Sequence, residues 1–156
     1  MNHTKHSYKN KVLVIYHGRC DDGLTAAWVL NKFFNEQHSN ENYDVTFVAG
    51  FHGETANDSL AKCDASIDAD TDVFIIDFSY NKDQITALSE QCHHLWILDH
   101  HITAKDSLSE LSHIQNLTLH FDMDRCGARI CWDFFFGEDA PELINWVMDR
   151  DMWQFN

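Results

Sequence analysis

The stretch Val12-Leu13-Val14-Ile15-Tyr16-His17-Gly18-Arg19-Cys20-Asp21-Asp22-Gly23 changes character at its midpoint. Val12 to Tyr16 are apolar without alternation, which reads as a strand buried on both faces in the middle of a parallel sheet. An imidazole, two carboxylates and a glycine follow at once. Beyond them Ala26, Val29, Leu30 and Phe33 recur at i, i+3, i+4 and i+7 and give a helix a core face. A strand, a polar turn and a helix in that order form the repeating unit of an open α/β sheet. Two other stretches end in the same way: Val73-Phe74-Ile75-Ile76 runs into Asp77, and Leu95-Trp96-Ile97-Leu98 runs into Asp99-His100-His101. Such sheets bind ligands outside the carboxyl ends of their strands, so three separated stretches deliver carboxylates and imidazoles to one crevice.

The remaining elements follow outward. The first strand is expected over Lys11 to Tyr16 and the first helix from about Asp22 to Asn35. Tyr43 to Val48 reads as a more polar strand, and Phe51 to Asp70 as irregular with one short helix near Ser59 to Cys63. Asp72 to Asp77 is the third strand, and Asn81 caps a helix reaching Cys92 with Ile85, Leu88 and Cys92 inward. His94 to Leu98 is the fourth strand, followed by a variable stretch from His101 to Ile114. Leu117, Leu119 and Phe121 alternate with Thr118 and His120 as in a half-buried strand. Ala128, Cys131, Trp132 and Phe135 mark another helix. Asp139 and Glu142 resemble a capping box with Pro141 at the first helical position, opening a last helix that carries Leu143, Trp146 and Val147 and ends near Asp149 to Asp151. Placing the apolar strands centrally and the mixed ones at the edges gives a Rossmann-like three-layer α/β domain. Its five-stranded, mainly parallel sheet has the order 2-1-3-4-5 and a switch point between strands one and three.

The length suits one domain, here residues 11–156 after a polar tail of residues 1–10. No apolar stretch is long enough for a bilayer, and the tail lacks the apolar core of a secretory signal, so a cytoplasmic protein without membrane contact is expected. The five cysteines contain no C-x-x-C pair, which argues against a disulfide framework or a cysteine zinc site. The formal net charge of −14 argues against long-range attraction of duplex nucleic acid, which usually needs a basic footprint. Arg19, Arg125, Arg129 and Arg150 are the only arginines, and each lies in or beside a candidate site segment.

His17-x-x-x-Asp21-Asp22-Gly23 offers imidazole and carboxylate donors suited to manganese, and carboxylates suited to magnesium. The bland alternative is that Asp22 caps the following helix. Asp77 alone would read as a turn residue; beside the first motif it becomes a bridging carboxylate for two cations. Asp99-His100-His101 is the sharpest local signal. Adjacent side chains diverge, so the two imidazoles take different tasks: one binds metal, the other faces substrate, and Asp99 orients a histidine from behind. Arg125-Cys126-Gly127-Ala128 opens a helix whose small residues leave backbone N–H groups open to an anion, although on its own the stretch reads first as an ordinary helix start. Asp149-Arg150-Asp151 reads on its own as a solvated charged turn. The sum points to a metal-dependent hydrolase.

Residues 15–28 (IYHGRCDDGLTAAW), 73–80 (VFIIDFSY), 96–101 (WILDHH), 121–135 (FDMDRCGARICWDFF) and 149–155 (DRDMWQF) together resemble the DHH phosphoesterase superfamily, in its order of motifs. The first motif is closest to the branch reading H-G-x-C-x-D-G, not to the family II pyrophosphatases with H-x-x-x-D-x-D. The resemblance implies two divalent cations, manganese above all and magnesium as the alternative. It implies hydrolysis of a phosphodiester or phosphoanhydride bond in a small substrate, a short single-stranded oligonucleotide or a nucleotide, by metal-activated water. Carried over by position, His17 and a carboxylate of Asp21 or Asp22 hold one metal, with Asp22 favoured by spacing. Asp77 bridges, and His100 with Asp149 or Asp151, Asp149 slightly preferred, holds the other. His101, Asp99 and Arg19 serve catalysis, while Arg125, Gly127 and Arg150 contact the substrate phosphate.

Two departures stand out. Cys126 replaces a serine common in the family, and a thiol is a poorer donor to phosphate. The chain also lacks the glycine- and histidine-rich carboxy-terminal domain that grips substrate in most members. Either it is a shortened piece of a larger two-domain phosphohydrolase, or it acts alone or as a homodimer. A catalytically weak module that binds a nucleotide or partner is the competing expectation. Exposed Met152, Trp153 and Phe155 would favour the shortened piece.

Overall fold

The structure, a computed structural model, describes residues 7–38, 40–137 and 139–153. Five strands, β1 (Lys11–His17), β2 (Asp44–Gly50), β3 (Thr71–Ile76), β4 (His94–Asp99) and β5 (Leu117–Phe121), form one sheet. All four pairings are parallel, and the order is β2-β1-β3-β4-β5. The Rossmann-like α/β class and the switch point between β1 and β3 are as the sequence pattern requires. The physical reason is burial. Val12 to Ile15, Val73 to Ile76 and Leu95 to Leu98 are buried throughout, while β2 and β5 keep partly exposed residues at the edges.

Side chains alternate between the faces with a period of two. Val12, Val14, Phe74, Ile76, Trp96 and Leu98 meet α1 (Asp21–Asn31), α5 (Gly127–Phe135) and α6 (Glu142–Asp151). Leu13, Ile15, Val73, Ile75, Leu95 and Ile97 meet α2 (Ala56–Ala61), α3 (Lys82–Ser89) and α4 (Ile102–Leu108). Two cores thus sandwich the sheet, and every β–α turn carrying a candidate ligand lies at its carboxyl edge. No described helix is long and apolar enough to cross a membrane.

Several local expectations need correction. The first helix becomes π-helical over Lys32–Gln37, with His38 N–H bonding to Phe33 C=O. Both Phe33 and Phe34 pack into an aromatic cluster with Tyr8 and Phe135, which the wider turn accommodates. The polar tail is in part docked: Tyr8 joins that cluster, and the Lys9 amide donates to Asp72 at 2.6 Å. Residues 1–6 lie outside the described residues. The stretch from His101 to Ile114 is not irregular; it forms α4 and a 3₁₀ turn, Ser109–His113, anchored by buried Leu108 and Leu111. Asp139 and Glu142 do not form a capping box, since Pro141 is the N-cap of α6 and no side chain bonds there. On α6 the buried residue is Ile144, whereas Leu143 and Trp146 face outward.

Candidate metal centre

β1 ends on His17, β3 on Ile76 with Asp77 directly after it, and β4 on Asp99 with His100 next. Asp77 takes the left-handed region at φ 64°, which aspartate tolerates better than most residues, and its amide bonds to the Leu98 carbonyl at 3.0 Å. Its carboxylate divides between two histidines. Oδ2 faces His17 Nδ1 at 3.4 Å, and Oδ1 faces His100 Nε2 at 3.2 Å. His100 Nε2 also lies 3.8 Å from Asp22 Oδ2 and 3.7 Å from Asp151 Oδ2. Among the described residues three overlapping donor groups result: His17, Cys20 and Asp77; Asp22, His100 and Asp151; and Asp77, Asp99, His100 and His101, each with ligand atoms within 4.8 Å of one another. Asp77 and His100 each belong to two of them.

Two glycines make this density possible. A Cβ on Gly23 would stand 2.3 Å from the His17 carbonyl oxygen, and one on Gly127 would stand 2.7 Å from Asp77 Cβ. Asp22 and Asp77 are 2% and 1% exposed. Burial, and then the charge of Asp77, push the Asp22 carboxyl up to about 7. Burial also pushes Asp77 upward, but the contacts with His100 and His17 outweigh it and hold its carboxyl below the ordinary range. His17 is raised to about 10, first by Asp77 and then by Cys20. His100 is lowered by burial, yet Asp77, Asp151 and Asp22 lift it to about 9.

The donor set suits divalent cations. Among the described residues, His17 Nδ1, Asp77 Oδ2 and Asp99 Oδ2 are buried side-chain atoms without a hydrogen-bond partner, a costly arrangement unless something else satisfies them. Neutral imidazole with carboxylate oxygen is a ligand set for manganese, iron or zinc. Behind the centre, Asp99 Oδ1 accepts from the His100 amide at 2.8 Å and from His101 Nδ1 at 2.7 Å. That contact raises the His101 imidazole above its ordinary value. Asp99 therefore fixes the ring of His101, which stays 40% exposed toward the crevice mouth.

Not every expected residue joins the cluster. Asp21 is exposed, pairs with Arg150 at 2.7 Å and lies outside the three donor groups. Asp151, not Asp149, reaches the centre. Two residues apart on a helix, they point about 200° apart, and Asp151 shares the phase of buried Ile144. Arg125 is engaged by Asp122 and Asp133. The Gly127 and Ala128 amides are also occupied, donating to Asp22 Oδ2 at 2.6 Å and Oδ1 at 2.8 Å. The helix start that looked open to an anion already holds one, from within the chain. Asp22 therefore caps a helix, but α5 instead of α1. Burial raises the Cys126 thiol beside it far above the ordinary range.

Arg19 remains at the crevice. It sits at φ 58°, over the Phe51 ring at 5.6 Å, and has no ion-pair partner among the described residues. With Asp22, Val147, Arg150, Asp151 and Trp153 it lines a cavity of about 480 Å³. Trp153 is 82% exposed; Phe155 lies outside the described residues. Cys20 and His52 were not among the expected site residues. His52 stacks edge-on to His17 at 4.8 Å, and no motif surrounds it in the sequence.

No family model matches the chain. A curated relative, "Uncharacterized protein R106" of Acanthamoeba polyphaga mimivirus, is 30% identical over 146 residues, which cover 92% of this chain and 34% of that protein. A solved structure, that of an uncharacterized protein from Helicobacter pylori G27, matches with a TM-score of 0.66 at 19% identity, over 92% of this chain and 43% of the other. At that identity the likeness concerns the fold. The chain spans about a third of the length of the curated relative.

Proposed function

We propose that this crevice is the metal centre of a phosphoesterase of the DHH type, acting on a phosphodiester or phosphoanhydride bond in a small substrate. The observation that carries the reading is Asp77. It is a buried carboxylate whose two oxygens face two different histidines, with one oxygen and the opposing His17 nitrogen unpartnered. His17 and Asp77 would hold one divalent cation; Asp77, His100, Asp22 and Asp151 would hold a second, and at this carboxylate-rich second position manganese is the leading candidate and magnesium the alternative. Cations bound there lower the pKa of water toward neutrality and neutralise charge on phosphate oxygens. Asp99 keeps Nδ1 of His101 engaged, which leaves Nε2 for a substrate oxygen. Arg19, at the rim and without an ion-pair partner among the described residues, is the guanidinium available to an anionic group. A cavity of about 480 Å³ suits a nucleotide-sized ligand or the end of a short single-stranded oligonucleotide.

The purified protein supplied with manganese should release phosphate or a mononucleotide from a panel of small phosphoesters. His100→Ala should abolish release with an unchanged circular dichroism spectrum. Activity retained in that variant would sink the assignment.

One observation favours a second reading, a module that binds but turns over poorly. Arg125, Gly127 and Arg150, the groups expected to grip phosphate, are all engaged within the chain. Given the longer relatives, a further segment or a second subunit supplying that grip belongs to the same reading. Tight metal binding with no turnover on any phosphoester would favour it.

A further inference from the structure

The geometry points to Cys20 as a thiolate ligand of the cation held by His17 and Asp77, which makes that position selective for zinc, cobalt or iron(II) over manganese and magnesium. This inference rests on the reading of the crevice as a metal centre and not on the hydrolysis. Cys20, His17 and Asp77 bring one sulfur, one nitrogen and one oxygen within 4.8 Å of one another. Into the same space points Asp77 Oδ2, an unpartnered oxygen on a side chain only 1% exposed.

Cys20 does not use its thiol to cap the helix it precedes. It is the N-cap residue of α1, where serine, threonine, aspartate or asparagine would normally accept a hydrogen bond from the first turn. Here the side chain makes no such bond. The backbone reverses at Arg19, φ 58°, and the thiol lies with the metal donors instead. The other cysteines differ. Cys63 is exposed and outside every donor group, and Cys92, Cys126 and Cys131 are buried.

The chemistry follows from the donor set. Thiolate is a soft ligand and carboxylate a hard one, so exchanging one oxygen for sulfur moves preference along the divalent series toward zinc. Coordination takes the thiol as thiolate, its proton leaving to solvent. The neighbouring position, built from Asp22, His100, Asp77 and Asp151, contains no sulfur donor and keeps the harder preference. The two positions are thus chemically unequal, and a mixed pair of cations is the expected occupancy.

Cobalt(II) tests this without reference to turnover, because a cobalt–thiolate bond produces a near-ultraviolet charge-transfer band. Metal-free protein titrated with cobalt should develop the band. Cys20→Ser should lose it while still binding cobalt, and its preference for zinc over manganese should fall by about tenfold or more. Cys63→Ser and Cys126→Ser should keep the band. Should the serine variant fail to fold, alkylation of the wild-type chain decides: bound zinc should protect Cys20 from iodoacetamide while Cys63 continues to react. Cobalt binding without the band, a band surviving in Cys20→Ser, or alkylation of Cys20 unaffected by zinc overturns the inference and leaves the metal centre standing. Failure to bind cobalt at all overturns both.

Discussion

Replacing Gly127 by alanine sets two effects of known size against each other. Gly127 opens α5, and an alanine in a helix is favoured over glycine by up to about 1 kcal/mol. Its φ is not in the left-handed region, so the backbone itself accepts a side chain. Against this stands the added Cβ, 2.7 Å from Asp77 Cβ and 2.8 Å from Asp77 Oδ1. Asp77 is 1% exposed and packed between two histidines, so it has nowhere to retreat. Overpacking of this kind costs about 1–3 kcal/mol. The clash should win, leaving a net loss of about 1–2 kcal/mol. For a domain of this length that corresponds to a fall in Tm of about 2–8 °C. The assay is urea unfolding of metal-free protein with chelator present, followed by calorimetric titration with manganese. Affinity should fall together with stability, because moving Asp77 disturbs both faces of its carboxylate. A variant as stable as the parent, or more stable, would refute the close approach of α5 to Asp77 from which the centre was built.

Three other outcomes are expected. His17 and His100 are raised to about 10 and about 9 from an ordinary 6.5, so their contribution to stability is complete below about pH 6.5 and lost as pH rises through 9 to 10. Melting curves in chelator should show that alkaline decline, and curves with bound cation, whose imidazole ligands are neutral, should lack it; identical curves would contradict the ligand assignment. Asp151→Asn should weaken manganese binding by about tenfold or more, as read by calorimetry, whereas Asp149→Asn should leave it unchanged. Arg125→Ala should lower stability by about 1 kcal/mol through loss of its pairs with Asp122 and Asp133, with KM unchanged; a large rise in KM would return Arg125 to the phosphate.

The sheet was legible because its central strands are apolar on both faces, a pattern that only a doubly covered position tolerates. His17, Asp77 and His100 were legible for a related reason: each stands at or one residue beyond the close of such a run. What the sequence concealed depends on rotation and on long-range pairing. The choice between Asp149 and Asp151 follows the phase of α6, set by one buried residue, Ile144, while the more conspicuous Leu143 and Trp146 face solvent. Arg125 and the Gly127 amide looked available because their partners, Asp133 and Asp22, are displaced along the chain, the latter by 105 residues. α4 was missed because Leu108 is its only buried residue. Cys20 carries a signal that was open to reading: a thiol at a helix N-cap, where an oxygen is the usual choice.

The bond between the Asp22 carboxylate and the amides of α5 also bears on the order of events in folding. Asp22 precedes Gly127 by 105 residues, so one end of that contact is synthesised well before the other. Asp151, on the last helix, is needed as well. On the proposal that the crevice holds cations, a nascent chain would expose its first ligands before the centre is complete and would capture a cation only once α5 and α6 have docked. Loading would then be a late step, and its free energy would go to the folded domain that presents the donors together. Cation availability would set how long each completed molecule persists, while the speed at which it first collapses would be left to the sheet.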